Sequence, residues 1–182
     1  PCGTTGEAPT LSAAERSRVV EIVVDEARGR VPVLAGAGGY DTREVVEAAR
    51  SMQAAGASGL LSVTPYYNKP TPDGLVRHYQ AIAEATPLPI VVYNVPGRTG
   101  CNIEPATLLR IARHPNVIAV KEASGNIEQI MTILRDRPDS LRVLSGDDSM
   151  TFPMLALGGD GIISVASNEV PGFSTQCIRK SY

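Results

Sequence analysis

No tryptophan occurs among the 182 residues, and two phenylalanines and six tyrosines leave aromatic residues at only 4% of the chain. An aromatic side chain at a strand end is therefore conspicuous. Histidine is nearly absent. His78 and His114 lie in different segments, which argues against a zinc site built on imidazoles. Cys2, Cys101 and Cys177 form an odd, scattered set without CxxC spacing. A reducing, cytoplasmic compartment fits them better than a disulfide framework. No apolar run approaches the roughly 18 residues of a membrane-spanning helix, and the first residues resemble neither a signal nor a transit peptide. Neither sign of charge is in excess. The formal net charge is -2, without the basic stretch that nucleic acid or a membrane surface requires. What is present, 43% hydrophobic and 20% charged residues, describes an ordinary globular domain with a real core.

A regular alternation fills that frame. Apolar, β-branched runs at residues 31–36, 59–64, 89–94, 117–122, 141–145 and 161–165 read as six strands. Between them lie helical patterns. Ser12 with Glu15 makes a capping box ahead of Val19, Val20, Ile22, Val23 and Val24. Asp41, Thr71-Pro72, Pro105 and Asn126 open four further helices, and Asp148 or Ser149 caps a short one at 149–157. Strands alternating with helices predict a parallel α/β fold, either a (β/α)₈ barrel or an open doubly wound sheet. Periodicity does not separate the two. The loop at Gly3-Thr4-Thr5-Gly6-Glu7 looks like the end of a strand, and residues 169–182 carry only a weak apolar rhythm. The barrel reading therefore makes residues 1–182 a single domain incomplete at both ends, lacking a first strand, most of a second and a C-terminal helical region.

Candidate chemistry gathers at the carboxyl ends of the strands, where parallel sheets build their sites. Lys121 ends the apolar run Val117-Ile118-Ala119-Val120. Desolvation there favours the neutral amine, which attacks a ketone to give a Schiff base. The competing reading is an exposed lysine paired with Glu122. Tyr93 ends the preceding strand, and its hydroxyl beside an amine suits proton transfer, although half-buried tyrosines are common at strand ends. Thr4, Thr5 and Gly6 form either a carboxylate cradle or an ordinary turn. Arg98 is either a carboxylate clamp or a solvated loop residue. Tyr66-Tyr67 reads as a lid, a subunit contact, a proton relay or simple loop packing. Asp147-Asp148 is a paired-acid motif or merely a helix cap, and Gly36-Ala37-Gly38-Gly39 is a faint echo of a dinucleotide loop.

Five segments together resemble a known family: Gly3-Thr4-Thr5-Gly6-Glu7, Val63-Thr64-Pro65-Tyr66-Tyr67-Asn68, Tyr93-Asn94-Val95-Pro96-Gly97-Arg98-Thr99-Gly100, Val120-Lys121-Glu122-Ala123-Ser124-Gly125-Asn126 and Ser145-Gly146-Asp147-Asp148. They are similar to the dihydrodipicolinate synthase family of pyruvate-dependent class I aldolases, over residues 3 to about 168. The resemblance implies a (β/α)₈ barrel, no metal or cofactor, and a lyase of lysine and diaminopimelate biosynthesis. That lyase condenses pyruvate with L-aspartate 4-semialdehyde to give 4-hydroxy-tetrahydrodipicolinate. It implies Lys121 as the imine-forming residue and Tyr93 as the proton shuttle, relayed through Thr5 and Tyr67. Thr4 and Thr5 would hold the pyruvate carboxylate and Arg98 the semialdehyde carboxylate, with Gly146 and Ile163 shaping the pocket. A homo-oligomer, dimer or tetramer, follows from the same resemblance, with Tyr66 and Tyr67 at a tight interface. Tyr66 and Glu44 match a lysine-effector site whose other positions differ here: Ala13 and Arg16 replace histidines, and Tyr40 replaces asparagine. Two alternatives stand beside this: another aldolase of the family, such as a sialic-acid lyase, or a non-catalytic barrel that serves only in assembly.

Overall fold

The computed structural model describes residues 1–172. Cys177 and most of the weakly patterned tail lie outside the described residues. In chain order the elements are α1 (Ala13–Ala27), β1 (Leu34–Gly36), α2 (Thr42–Ala54), β2 (Gly59–Val63), α3 (Pro72–Ala85), β3 (Ile90–Asn94) and α4 (Pro96–Thr99). There follow α5 (Pro105–Ile111), β4 (Val117–Glu122), α6 (Ile127–Asp136), β5 (Arg142–Ser145), α7 (Thr151–Ala156) and β6 (Gly161–Ile162). All five strand pairings are parallel, and the strands lie side by side in the order β1-β2-β3-β4-β5-β6. That sequential order decides between the two architectures. A doubly wound sheet reverses its strand order at a switch point, whereas a barrel winds in one direction. Helices α1, α2, α3, α5 and α6 pack against one another in the same sequence, as the outer layer of a barrel does.

Local chemistry explains where elements start and stop. Ser12 and Glu15 form the expected reciprocal capping box, and Arg28 ends α1 in the left-handed region at φ 49°. Thr71 and Asn126 cap α3 and α6 by accepting the N–H groups of Gly74 and Gln129. Leu60, Tyr79, Ile82, Ile90, Val92, Val120 and Ile133 are fully buried between sheet and helices. Each large aliphatic among them contributes about 1.5–3 kcal/mol.

Several boundaries differ from the sequence reading. β1 begins at Leu34 rather than residue 31, because Pro32 has no N–H to donate and Val33 N–H bonds to the Ser58 hydroxyl instead. Val31 is left 62% exposed. Ile22 is 52% exposed, since five apolar residues over 19–24 span a wider arc than one buried stripe, and Val20 takes the core position. β6 stops at Ile162 rather than residue 165, because the Asp148 carboxylate captures the N–H groups of Val165 and Ala166. The short helix α7 starts at Thr151 with Met150 as its N-cap and no side-chain cap. Asp147, not Asp148 or Ser149, caps the 3₁₀ turn Asp148–Met150 that leads into it, its carboxylate accepting from Ser149 N–H at 3.0 Å. Arg98 lies not in an open loop but in the single-turn helix α4, opened by Pro96.

The α2–α3 contact contains a buried histidine. His78 Nδ1 lies 2.8 Å from the Thr42 hydroxyl, Nε2 has no partner, and the ring meets Tyr79 edge-on. Burial lowers its pKa from 6.5 to about 4. Above pH 6.5 the ring is neutral in both folded and unfolded chains. Below that, the unfolded chain takes up the proton first, so stability falls as pH drops and levels off below about 4. The loss attributable to His78 is at most about 3 kcal/mol. Urea denaturation from pH 7 to 4 is expected to show this decline, and a His78→Gln variant is expected to flatten it.

Candidate functional site

The register of β3 against β4 sets the site. Tyr93 pairs with Lys121, and one residue further Asn94 pairs with Glu122. Strand alternation sends these two pairs to opposite faces of the sheet. On one face the Lys121 amine rests 4.2 Å from the centroid of the Tyr93 ring. Lys121 is only 7% exposed, and Tyr93 is similarly buried. Burial drives the lysine pKa down, the Arg98 guanidinium pushes it further down, and the Asp148 carboxylate opposes both. The ring face also favours the ammonium form, but desolvation dominates. Burial pushes the Tyr93 phenol up, while the Thr4 side chain and Arg98 draw it part of the way back. The result is an amine inclined to lose its proton beside a phenol inclined to keep one. The sequence alternative of a Lys121–Glu122 ion pair is not realised, because the two side chains leave the strand on opposite faces.

Gly146 makes room for the lysine. A Cβ at this position would stand 3.0 Å from both Cγ and Cε of Lys121 and 2.9 Å from the Ala123 Cβ. Any larger residue would displace the amine. Ile163, just beyond β6, is half-buried and donates its N–H to the Ser145 carbonyl at 2.9 Å.

A cavity of about 270 Å³ opens beside this pair. Its wall includes Thr4, Arg16, Gly38, Tyr66, Tyr93 and Arg98; Lys121 is not part of it but lies against the Tyr93 ring. Arg16 presents a buried Nε without a partner. The structure thus brings Lys121, Tyr93, Thr4 and Arg98 together. Thr5 is exposed and outside the cavity wall. In the Gly3–Glu7 turn, the N–H groups of Gly6 and Glu7 bond back to Gly3 and Thr4. Tyr66 stands edge-on to Tyr40 at 5.3 Å, whereas Tyr67, at φ 69°, is 86% exposed. Glu44, in the first turn of α2, is exposed and away from the wall.

Two features escaped the sequence reading. Asp148 reaches across to the segment after β6, accepting from Ser164, Val165 and Ala166, and faces the Lys121 charge. Glu122, 1% exposed, is bound by Asn94 and the Ser124 N–H on the helix-covered face. A period-two reading of Tyr93-Asn94 and Lys121-Glu122 carried the signal for the second. Nothing local in the sequence carried the first. Among the described residues, no group of histidine, cysteine or acidic side chains is arranged to hold a metal ion. Nor is any helix among them long and apolar enough to cross a membrane.

Comparison with known proteins agrees with this fold. The model of the dihydrodipicolinate synthetase family matches residues 1–181. A 4-hydroxy-tetrahydrodipicolinate synthase from Chloroherpeton thalassium is 58% identical over 172 residues, covering 94% of this chain and 57% of its own. Its counterpart from Chlorobium chlorochromatii is 50% identical over 182 residues, covering 100% of this chain and 62% of its own. The chain thus spans about three-fifths of the length of the curated relatives it matches. The crystal structure of dihydrodipicolinate synthase from Aquifex aeolicus superposes with a TM-score of 0.96 at 44% identity, over 99% of this chain and 62% of that one. The lysine-bound enzyme from Cyanidioschyzon merolae gives 0.95 at 42%, over 98% and 61%. On the family match and on six parallel strands wound in barrel order, this chain belongs to the dihydrodipicolinate synthetase family.

Proposed function

We propose that this chain carries the imine-forming site of a 4-hydroxy-tetrahydrodipicolinate synthase, the activity for which its relatives are named. The observation that carries the proposal is the Lys121 amine, buried against the Tyr93 ring at adjacent strand ends. The neutral amine adds to the pyruvate ketone carbon. Tyr93 donates a proton to the resulting carbinolamine hydroxyl, which leaves as water, and an imine forms. Loss of a methyl proton gives the enamine, whose carbon attacks the aldehyde of L-aspartate 4-semialdehyde. The semialdehyde amine then displaces Lys121 and releases 4-hydroxy-tetrahydrodipicolinate.

Thr4 and Thr5 hold the pyruvate carboxylate and Arg98 the semialdehyde carboxylate, while Gly146 and Ile163 shape the space around the enamine. The proton relay from Tyr93 starts at the Thr4 side chain that bonds its phenol, and Thr5 and Tyr67 continue it toward the surface. The 86% exposure of Tyr67 suits a residue that reaches its place against a second copy of the chain, in a homodimer or tetramer. Tyr66 and Glu44 belong to a lysine-effector site at the same contact. Buried, unbridged Cys2 and Cys101 suit the cytoplasm. Incubation with pyruvate and borohydride, followed by peptide mass analysis, tests the proposal. A reduced adduct on Lys121 is the expected result. A folded, oligomeric chain that forms none would instead be an assembly unit.

A further inference from the structure

Glu122 is a carboxylate with almost no solvent contact and, among the described residues, no cationic partner, directly behind the reactive lysine. Asn94 Nδ2 donates to its Oε2 at 3.0 Å and more weakly to Oε1 at 3.3 Å, and the Ser124 N–H donates to Oε1 at 2.7 Å. Gln129 on α6 supplies a further side-chain hydrogen bond. Asn94 spends the rest of its capacity nearby, accepting from Ile103 N–H at 3.0 Å and donating to Asn102 Oδ1 at 2.9 Å. Asn102 in turn donates to Gln129 at 2.8 Å. One acidic group therefore fastens the end of β3, the loop after α4, the loop after β4 and the start of α6. Burial alone pushes the Glu122 carboxyl up, and these donors hold it back.

The arrangement is costly unless complete. Asn94, Gln129 and the Ser124 backbone meet the carboxylate as N–H donors and the Ser124 side chain as a hydroxyl, so an acceptor on both oxygens satisfies the fixed donors. It also stands at the register position that matters. Asn94 and Glu122 pair one residue beyond Tyr93 and Lys121, so the distance between the phenol ring and the amine is set by how these strand ends are tied. We infer that Glu122 is a positioning residue: through Asn94 and Ser124 it holds the Tyr93 and Lys121 backbones in the register that places the amine on the ring. This rests on the imine-forming reading of Lys121. Nothing in it requires Glu122 to touch substrate.

Glu122→Gln keeps the shape but turns one acceptor into a donor facing Asn94 or Ser124. The test is borohydride trapping of pyruvate by the parent chain and the variant across pyruvate concentrations, with circular dichroism to establish folding. The expected result is a first-order trapping rate at least about tenfold lower, with the half-saturating pyruvate concentration within about threefold of the parent. A small displacement of aligned groups slows the reaction far more than it weakens binding. Asn102→Ala, at the half-exposed outer end of the network, is expected to give a smaller loss of the same kind, and it stands in should the first variant fail to fold. Parent-like trapping by a folded Glu122→Gln variant, or by Asn102→Ala in its place, overturns the inference and leaves the imine reading intact. A parent chain that traps no pyruvate overturns both.

Discussion

Replacing Lys121 by methionine is expected to abolish the pyruvate adduct and to lower condensation at least about 10³-fold, the scale on which a lost covalent nucleophile is felt. Methionine has nearly the same length and fills the gap that Gly146 leaves, so the lining of the site stays packed. The fold should not suffer. Lys121 is 7% exposed and its ammonium form is disfavoured by burial, so replacing it with an apolar side chain should leave the melting temperature unchanged or raise it. The pairing of unchanged stability with a missing adduct separates a chemical role from a structural one. Peptide mass analysis and thermal denaturation of the same sample check both halves. An adduct persisting on another lysine, such as the exposed Lys69, would move the chemistry elsewhere.

Tyr93→Phe is expected to slow imine formation about 10²-fold, the usual scale of a positioned proton donor. The ring that supports the amine remains, so the contact at 4.2 Å survives and only the hydroxyl is lost. Because burial raises the phenol pKa, the native side chain keeps its proton through neutral pH and is available to donate it. Thr4 loses its neighbour, at a cost of about 1 kcal/mol in stability. Stopped trapping at fixed pyruvate measures the rate. A value within threefold of the parent would assign the proton transfer to another group or to water.

Much of this was legible before any coordinates. β-branched runs between capped helices placed all six strands, because a strand buried on both faces is written as a continuous apolar run and a helix start as a cap. The residues at the strand ends, Tyr93 and Lys121, were readable for the same reason. Whether the strands form a ring or a doubly wound sheet was not, since both share the alternation and differ only in spatial order. Boundaries shifted where a distant side chain intervened. β6 is two residues long because Asp148, thirteen positions before it, takes the amides that would have extended it. Glu122 was readable only as a neighbour of Lys121. Its work is done through Asn94, 28 residues away in sequence, a partner that only the matching alternation of Tyr93-Asn94 and Lys121-Glu122 on neighbouring strands could have pointed to. The places of Thr5 and Tyr67 follow from turn geometry: the Gly3–Glu7 turn closes on itself, and Tyr67 adopts a left-handed backbone that projects it into solvent.

The central claim is that the amine of Lys121 forms a covalent bond with a 2-oxo acid. The most direct test is borohydride reduction of the chain in the presence of pyruvate, followed by digestion and mass mapping. The account predicts a single reduced pyruvyl group, on the peptide containing Lys121, at a yield that saturates with pyruvate. An unmodified Lys121 in a folded sample would contradict it.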